Sequence, residues 1–154
     1  MALDDDIALL ARQPLLSLME RDALRLVAFA AESRILRAGD VLFRIGEPSD
    51  GAVLVISGTI ALDSREDGQP AQEIVGEGAL IGEMALFAAV ARPVTAIARE
   101  PSQVMRLSRS VMRRVLAESP ASAQAVAAAI SERLLGFVGQ LNAVQEALLA
   151  IDSR

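Results

Sequence analysis

The sequence predicts an α+β protein in which a small antiparallel barrel or jelly roll of short strands is flanked by helices. Two observations support this prediction. The spacing of apolar residues changes from a helical to a strand-like period near residue 35, and back near residue 108. Glycine also breaks the strand-like zone at short intervals, which is typical of tight turns between strands. These glycines are Gly39, Gly46, Gly51, Gly58, Gly68, Gly76 and Gly78.

Residues 1–34 are predicted to form helices. The acidic run from Asp4 to Asp6 suits the positive end of a helix dipole, and Pro14 separates a short first helix from a longer second one. Apolar residues of the second helix roughly follow a 3.6-residue period, which predicts one buried face. They are Leu15, Leu18, Met19, Leu24, Val27 and Ala28.

Residues 35–107 are predicted to contain the strands. Six segments are rich in β-branched residues and alternate with a period close to two. They are RILRAG, DVLFRIG, AVLVISG, TIALDS, QEIVGEG and VTAIARE. Asp67-Gly68 lies between two of these segments and is a typical hairpin turn pair. One stretch in this zone, residues 82–87, has helical spacing instead.

Residues 108–154 are predicted to be helical again. After a short helix, Ser119 offers an N-cap oxygen and Pro120 a favoured first position for a long helix. Only Gly136 and Gly139 weaken this helix, by about 1 kcal/mol each relative to alanine. About 30 residues in one helix would extend ~45 Å, which is more than a domain of this size needs.

A stripe of apolar residues along this helix repeats at close to 3.5 residues. It consists of Val126, Ile130, Leu134, Phe137, Leu141, Val144, Leu148 and Ile151. The repeat favours a seam between two copies of the helix, so we expect a parallel homodimer. The alternative is that the second half of the stripe packs on its own domain. The uncharged stretch 136–145 is too short to span a bilayer, so no membrane contact is expected.

The composition excludes several classes of function. The 154 residues include no cysteine and no histidine, which removes disulfides, thiolate metal sites and the commonest general base. We therefore expect no enzyme activity, no metal and no cofactor. Twenty acidic against fifteen basic residues give a net charge of −5, which argues against nucleic-acid binding. The acidic N-terminus is unlike a signal peptide, so a cytoplasmic location is expected.

One stretch, residues 81–95, has residues suited to binding a small sugar phosphate. Its sequence is IGEMALFAAVARPVT. Gly82 would let a ligand approach the backbone closely, and a helix start behind it would favour an anion. Arg92 brings a planar fork of donors for phosphate oxygens, and Glu83 brings acceptors for hydroxyl groups. The alternative is that Glu83 and Arg92 form a structural ion pair or simply face solvent.

The run GEMALFAAVARPVTAIA resembles the phosphate-binding cassette of cyclic nucleotide-binding domains. In both, Gly-Glu is followed by a short apolar helix, a variable tip and an arginine, here with ten residues from Gly82 to Arg92. Upstream, RAGDVLFRIGEPSDGAVLVISGTIAL is similar to the first strands of that family. ALLARQPLLSLMERDALRLVAFAAESR resembles the helical lead-in of the catabolite activator and fumarate–nitrate regulator superfamily. The resemblance covers about residues 8–150.

The resemblance implies an antiparallel β-roll, a jelly-roll-like double-stranded β-helix, between N-terminal helices and a long C-terminal helix. The zones 1–34, 35–107 and 108–154 would then be the N-terminal helices, the roll with its cassette at 81–95, and the C-terminal helices. In the superfamily a winged helix-turn-helix follows the long helix, and we expect none within this chain.

The resemblance also implies a role for each cassette residue. Backbone N–H groups of Met84 and Ala85, with Gly82, would surround the cyclic phosphate, and Arg92 would neutralise it. Glu83 would accept the ribose 2′-hydroxyl. Apolar contacts to ribose and base would come from Leu80, Ile81, Val75 and Ile97.

The chain departs from the family pattern at Pro93, directly after Arg92. Relatives often use the N–H or a hydroxyl at this position to bind the phosphate, and proline has neither. Losing one such charge-assisted bond costs about 1.5–3 kcal/mol. The missing hydroxyl favours cyclic AMP (cAMP) over cyclic GMP (cGMP), because Thr95 lies too far along to be a sure substitute.

Two functions follow from these expectations. The first is a non-enzymatic sensor module that binds cAMP. The second is a degenerate member of the fold that serves as a dimerisation or partner-binding module without a nucleotide. An enzyme built on a cupin-like barrel is a third reading, but its metal would have to be held by carboxylates alone.

Overall fold

The computed structural model describes residues 2–65 and 67–152, and the ends of the predicted zones at 1, 153 and 154 lie outside this part. Within this part, eight antiparallel strands form two four-stranded sheets, with the orders β1-β8-β3-β6 and β2-β7-β4-β5. In chain order the strands are β1 (Glu32–Leu36), β2 (Val41–Phe43), β3 (Gly51–Ser57), β4 (Ile60–Asp63), β5 (Glu73–Val75), β6 (Leu80–Ile81), β7 (Thr95–Ala98) and β8 (Ser102–Ser108). The expected antiparallel β-roll is confirmed.

Helices precede and follow the roll. They are α1 (Ala2–Ala11), α2 (Arg21–Ala30), α3 (Arg109–Glu118) and α4 (Pro120–Asp152), with a short 3₁₀ turn at Leu16–Leu18. A second 3₁₀ helix at Glu83–Leu86, here called the cassette helix, lies between β6 and β7. The chain breaks between α1 and α2 around Pro14, as predicted, but α2 is not longer than α1, because it begins only at Arg21, after the 3₁₀ turn. The predicted zone boundary at 34/35 is also too late, since β1 already begins at Glu32. Ser119 precedes α4 as expected, and its hydroxyl oxygen lies 2.8 Å from the Ser122 hydroxyl.

Two cores lie on opposite sides of β3, because its alternate residues point to opposite faces and all of Gly51–Val55 is buried. The first core fills the space between the two sheets. It consists of Leu36, Phe43, Val53, Val55, Ile60, Leu62, Ile81, Ala96, Ala98 and Val104. The second core joins the first sheet to the helices. Its members include Ile7, Leu10, Leu24, Val27, Leu54, Leu86, Leu107, Met112 and Val126.

The helix α4 changes character along its length. Val126 is buried and Ile130 is half-buried, but every residue from 131 to 151 is exposed. Apolar side chains also lie away from the predicted seam, namely Leu135, Val138 and Leu149. Among the described residues, α4 is the one helix whose length and composition would allow it to cross a membrane. Glu146 is the only charged residue between positions 134 and 151 of this helix.

Candidate functional site

The cassette helix begins at Gly82, and the backbone there requires glycine for two reasons. Gly82 has φ +75°, a left-handed conformation that other residues adopt only with strain. A Cβ atom at Gly82 would also lie 2.9 Å from Nη1 of Arg92. The Arg92 guanidinium therefore packs directly against the Gly82 backbone, so the structure brings together two of the residues that the sequence selected.

Arg92 is the central buried charge of the site, with 7% of the residue exposed. Its guanidinium carbon lies 4.3 Å from the centre of the Phe43 ring, and its Nη2 lies 3.8 Å from Oδ1 of Asp50. Burial lowers the pKa of Arg92, Asp50 opposes this change, and the neighbouring cation Arg106 adds to it. The guanidinium stays charged, because arginine is not deprotonated in proteins.

Arg92 lines a cavity of about 380 Å³. Two further guanidinium groups, from Arg34 and Arg106, share the cavity with the carboxylates of Glu47 and Asp50. The rest of the lining comes from Leu42, Phe43, Pro48, Ser49 and Val53. Three cations against two anions leave an excess of positive charge. The volume lies within the usual range for small-molecule sites, and the lining favours an anionic ligand.

Backbone hydrogen bonds fix Arg92 against the segment between β2 and β3. The Arg92 N–H donates to the Glu47 carbonyl, and the Gly46 N–H donates to the Arg92 carbonyl, both at 2.8 Å. Thr95 is buried, and its hydroxyl oxygen accepts a hydrogen bond from the Ile45 N–H at 2.9 Å. Thr95 thus anchors the start of β7 to the segment that follows β2.

Glu83 is held outside this cavity. Its Oε2 accepts a hydrogen bond from the Leu15 N–H at 3.4 Å, and its Oε1 lies 3.4 Å from Nη1 of Arg133 on α4. Among the described residues, no ion pair joins Glu83 to Arg92, because each has other partners. The structural ion pair that the sequence left open is therefore not formed, and Glu83 instead connects the cassette to α4.

The other predicted site residues lie around the cassette without lining the cavity. In β6, Ile81 belongs to the core inside the roll, whereas Leu80 packs towards the helices. The Ala85 N–H donates to the Gly82 carbonyl at 2.9 Å, within the cassette helix. Two further predicted residues, Met84 and Pro93, are exposed. Of the nine predicted residues, only Arg92 is part of the lining.

Sequence reasoning missed the other charged residues of the cavity. Strand alternation was a usable signal, because Arg34 lies two residues before the buried Leu36 and Arg106 lies two residues after the buried Val104. Each arginine therefore lies on the same face of its strand as a residue of the core between the sheets. Asp50 gave no such signal, because it lies outside the strands, directly before β3. Among the described residues, no three acidic groups come close enough to hold a metal ion.

In the β-roll, a buried arginine packs against the glycine that opens the cassette helix, beside a cavity with an excess of positive charge. The chain belongs to the cyclic nucleotide-binding domain family, whose pattern matches residues 33–119. It is a regulatory binding domain of that family. Together with the fold, this match confirms the family resemblance that was read from the cassette.

Three relatives illustrate the family. The chain is 43% identical to a cyclic nucleotide-binding-like protein from Brucella abortus, with a TM-score of 0.68, covering 73% of this chain and 98% of that one. The N-terminal domain of a transcriptional regulator from Streptomyces coelicolor is 27% identical, with a TM-score of 0.76, covering 86% and 94%. A cyclic nucleotide-gated potassium channel of Mesorhizobium japonicum is 29% identical over 75% of this chain and 31% of the channel. The chain spans between 8% and 31% of the length of the curated relatives that it matches.

Proposed function

We propose that this domain is a non-enzymatic, cytoplasmic regulatory module that binds cAMP. The observation that carries the proposal is Arg92, a buried charge packed against the glycine that opens the cassette helix and facing a cavity with excess positive charge. The lining cations are opposite in charge to a cyclic phosphate and can donate charge-assisted hydrogen bonds to it. The Mesorhizobium relative, described as gated by a cyclic nucleotide, supports the same ligand class.

In this proposal the cassette binds the phosphate from two sides. Arg92 neutralises it, and Gly82, Met84 and Ala85 offer backbone N–H groups. Because the Ala85 N–H already donates to the Gly82 carbonyl, the start of the cassette helix has to reorganise when the phosphate enters. Preference for cAMP over cGMP follows from Pro93, which has no hydroxyl.

Glu83 then links ligand binding to the C-terminal helix. To accept the ribose 2′-hydroxyl, its carboxylate has to leave the Leu15 N–H and Arg133. Ile81 and Leu80 move with it, because they precede the cassette helix in β6. Glu83 thus has one arrangement bonded to Leu15 and Arg133 and another bonded to the ligand. The ligand can shift the equilibrium between them, and with it α4, only by as much as its affinity differs between the two.

We further propose a homodimer through α4. The seam residues Leu134, Phe137, Leu141, Val144, Leu148 and Ile151 are all more than half exposed in the single chain. Monomeric proteins avoid apolar surfaces of this extent. A second copy of the same helix would cover the seam, since each copy offers the same 3.5-residue repeat.

The second candidate function is a dimerisation or partner-binding module without a nucleotide. This candidate is favoured because the charged side chains of the cassette already have partners within the protein. Arg92 already has Phe43 and Asp50 as partners, and Glu83 has Leu15 and Arg133. A fold that has lost its ligand would retain such contacts to stabilise its buried charges.

Calorimetric titration with cAMP and cGMP separates the two candidates. The purified chain is compared with Arg92→Ala and with Arg99→Ala, a matched loss of an arginine whose side chain is exposed. We expect Arg92→Ala to weaken cAMP binding by about 2–5 kcal/mol, the cost of losing a buried charge-assisted pair. Arg99→Ala should bind like the wild type. Absence of binding heat in the wild type would favour the ligand-free module, and equal affinities in all three would reject the role of Arg92.

A further inference from the structure

Among the described residues of α3, Arg109 is the one whose side chain forms hydrogen bonds to the cassette. It is the first residue of that helix, but its guanidinium extends back towards the roll. Its Nη1 donates to the carbonyls of Ala85 and Ala88, both at 3.0 Å. Its Nη2 donates to the Ser49 carbonyl at 2.7 Å. One side chain thus joins the end of the cassette helix to the segment between β2 and β3.

The position of this cation within α3 is unfavourable on its own. The first turn of a helix has a partial positive charge, which disfavours arginine there. The carbonyls that end the cassette helix have a partial negative charge and lack partners within so short a helix. Arg109 supplies these partners. The hydrogen bonds to the cassette therefore offset the unfavourable position of this cation in the first turn of α3.

The same residue also holds the partner of Arg92. The Arg109 backbone N–H donates to the Asp50 carbonyl at 2.7 Å, while the Asp50 carboxylate faces Arg92. The Ser49 hydroxyl and N–H both donate to the Val90 carbonyl, at the tip of the cassette. The cassette helix, its tip and the segment with Asp50 are therefore tied to one another around Arg109.

We propose that Arg109 is a positioning residue for the ligand cavity. By fixing the distance between the cassette helix and the Ser49–Asp50 segment, it holds Arg92 in place against Gly82. Because Arg109 is part of α3, any movement of the cassette is passed to that helix. The effect on nucleotide affinity rests on the proposed function, whereas the effect on the order of the cassette does not.

The first test needs no ligand. Amide hydrogen exchange is measured on the wild type, on Arg109→Gln and on Arg113→Gln, a matched change at an exposed arginine of the same helix. In Arg109→Gln we expect about tenfold faster exchange at Phe87 and Ala88, whose N–H groups both bond to the Met84 carbonyl, and an unchanged rate in the β3 and β8 core. Unchanged cassette rates, or an equal rise throughout the molecule, would overturn the positioning role.

The second test measures cAMP affinity in the same proteins and in Arg109→Lys. We expect about tenfold weaker binding for glutamine, the equivalent of about 1.4 kcal/mol. Lysine should recover part of the loss, because its ammonium group retains the charge without the planar fork. If the wild type binds cAMP and Arg109→Gln binds it with the same affinity, the inference is overturned. A wild type that binds no nucleotide would reject the proposed function alone, and the exchange rates would then decide the role of Arg109.

Discussion

The roll with its cassette and the far half of α4 are both rich in apolar residues, but only the roll buries them within the single chain. In the roll, apolar residues of β3 alternate between two cores, and both faces are buried by the chain itself. In α4, every residue from 131 to 151 is exposed. The roll therefore buries its apolar residues within one chain, whereas the far half of α4 leaves an apolar surface of the kind that monomers avoid.

The two regions also differ in how they hold polar groups. Around the cassette, Arg92, Arg109 and Glu83 each have partners from a distant part of the chain. In the far half of α4, the polar residues Gln140, Asn142 and Gln145 are exposed. A rigid network around a cavity is suited to ligand recognition, whereas an exposed apolar helix is suited to assembly.

Charges placed in the apolar seam of α4 are expected to change the oligomeric state of the protein. In Leu141→Glu/Val144→Glu, each of the two copies loses two apolar side chains of the seam, so charges replace four in the dimer. Each fully buried side chain of this kind contributes about 1.5–3 kcal/mol. We expect the wild type to sediment as a dimer at micromolar concentration and the double variant to sediment as a monomer. The roll should be unaffected, because these positions make no contact with it.

The matched control places the same charges on the other side of the helix, as Gly139→Glu/Ala143→Glu. This variant should remain dimeric. A monomeric wild type would reject the homodimer, and co-flotation of that monomer with lipid vesicles would assign the exposed helix to a membrane surface instead. A seam variant that stays dimeric would move the interface towards the apolar residues outside the seam, such as Leu135 and Leu149.

Sequence reasoning predicted the roll well, because alternation and regular glycines determine it locally. The resemblance to the family's cassette assigned Gly82 and Arg92 to one site, and in the structure the Arg92 guanidinium packs against Gly82. Sequence reasoning did not predict the partners of Glu83, because Leu15 and Arg133 lie more than 45 residues away in either direction. Such partners depend on how the helices pack on the roll, and local patterns do not contain that information.

A smaller effect, on ligand affinity, is expected from a substitution in the cassette at Pro93. Pro93→Ala restores a backbone N–H next to Arg92, and we expect cAMP to bind about tenfold more tightly, as one charge-assisted hydrogen bond would give. The bonds that anchor Arg92 to Glu47 and Gly46 do not use the nitrogen of residue 93, so they persist in the variant. Calorimetry measures the change, with Pro101→Ala as the control at another exposed proline. An unchanged dissociation constant would show that residue 93 faces away from the ligand.

The smallest effect concerns the glycines of α4. A Cβ atom at Gly136 would meet no atom within 4 Å in the single chain, so alanine adds helix propensity without a clash. Gly136→Ala should stabilise the helix by about 1 kcal/mol, which corresponds to about 2–4 °C in melting temperature for a protein of this size. The matched control is Ala143→Gly, seven residues along on the same face, which should lower the melting temperature by a similar amount. Both variants are compared at one protein concentration, because a dimer melts at a concentration-dependent temperature. If Gly136→Ala instead dissociates the dimer, the two helices approach through their small residues, and the seam along Leu141 and Val144 is not the interface.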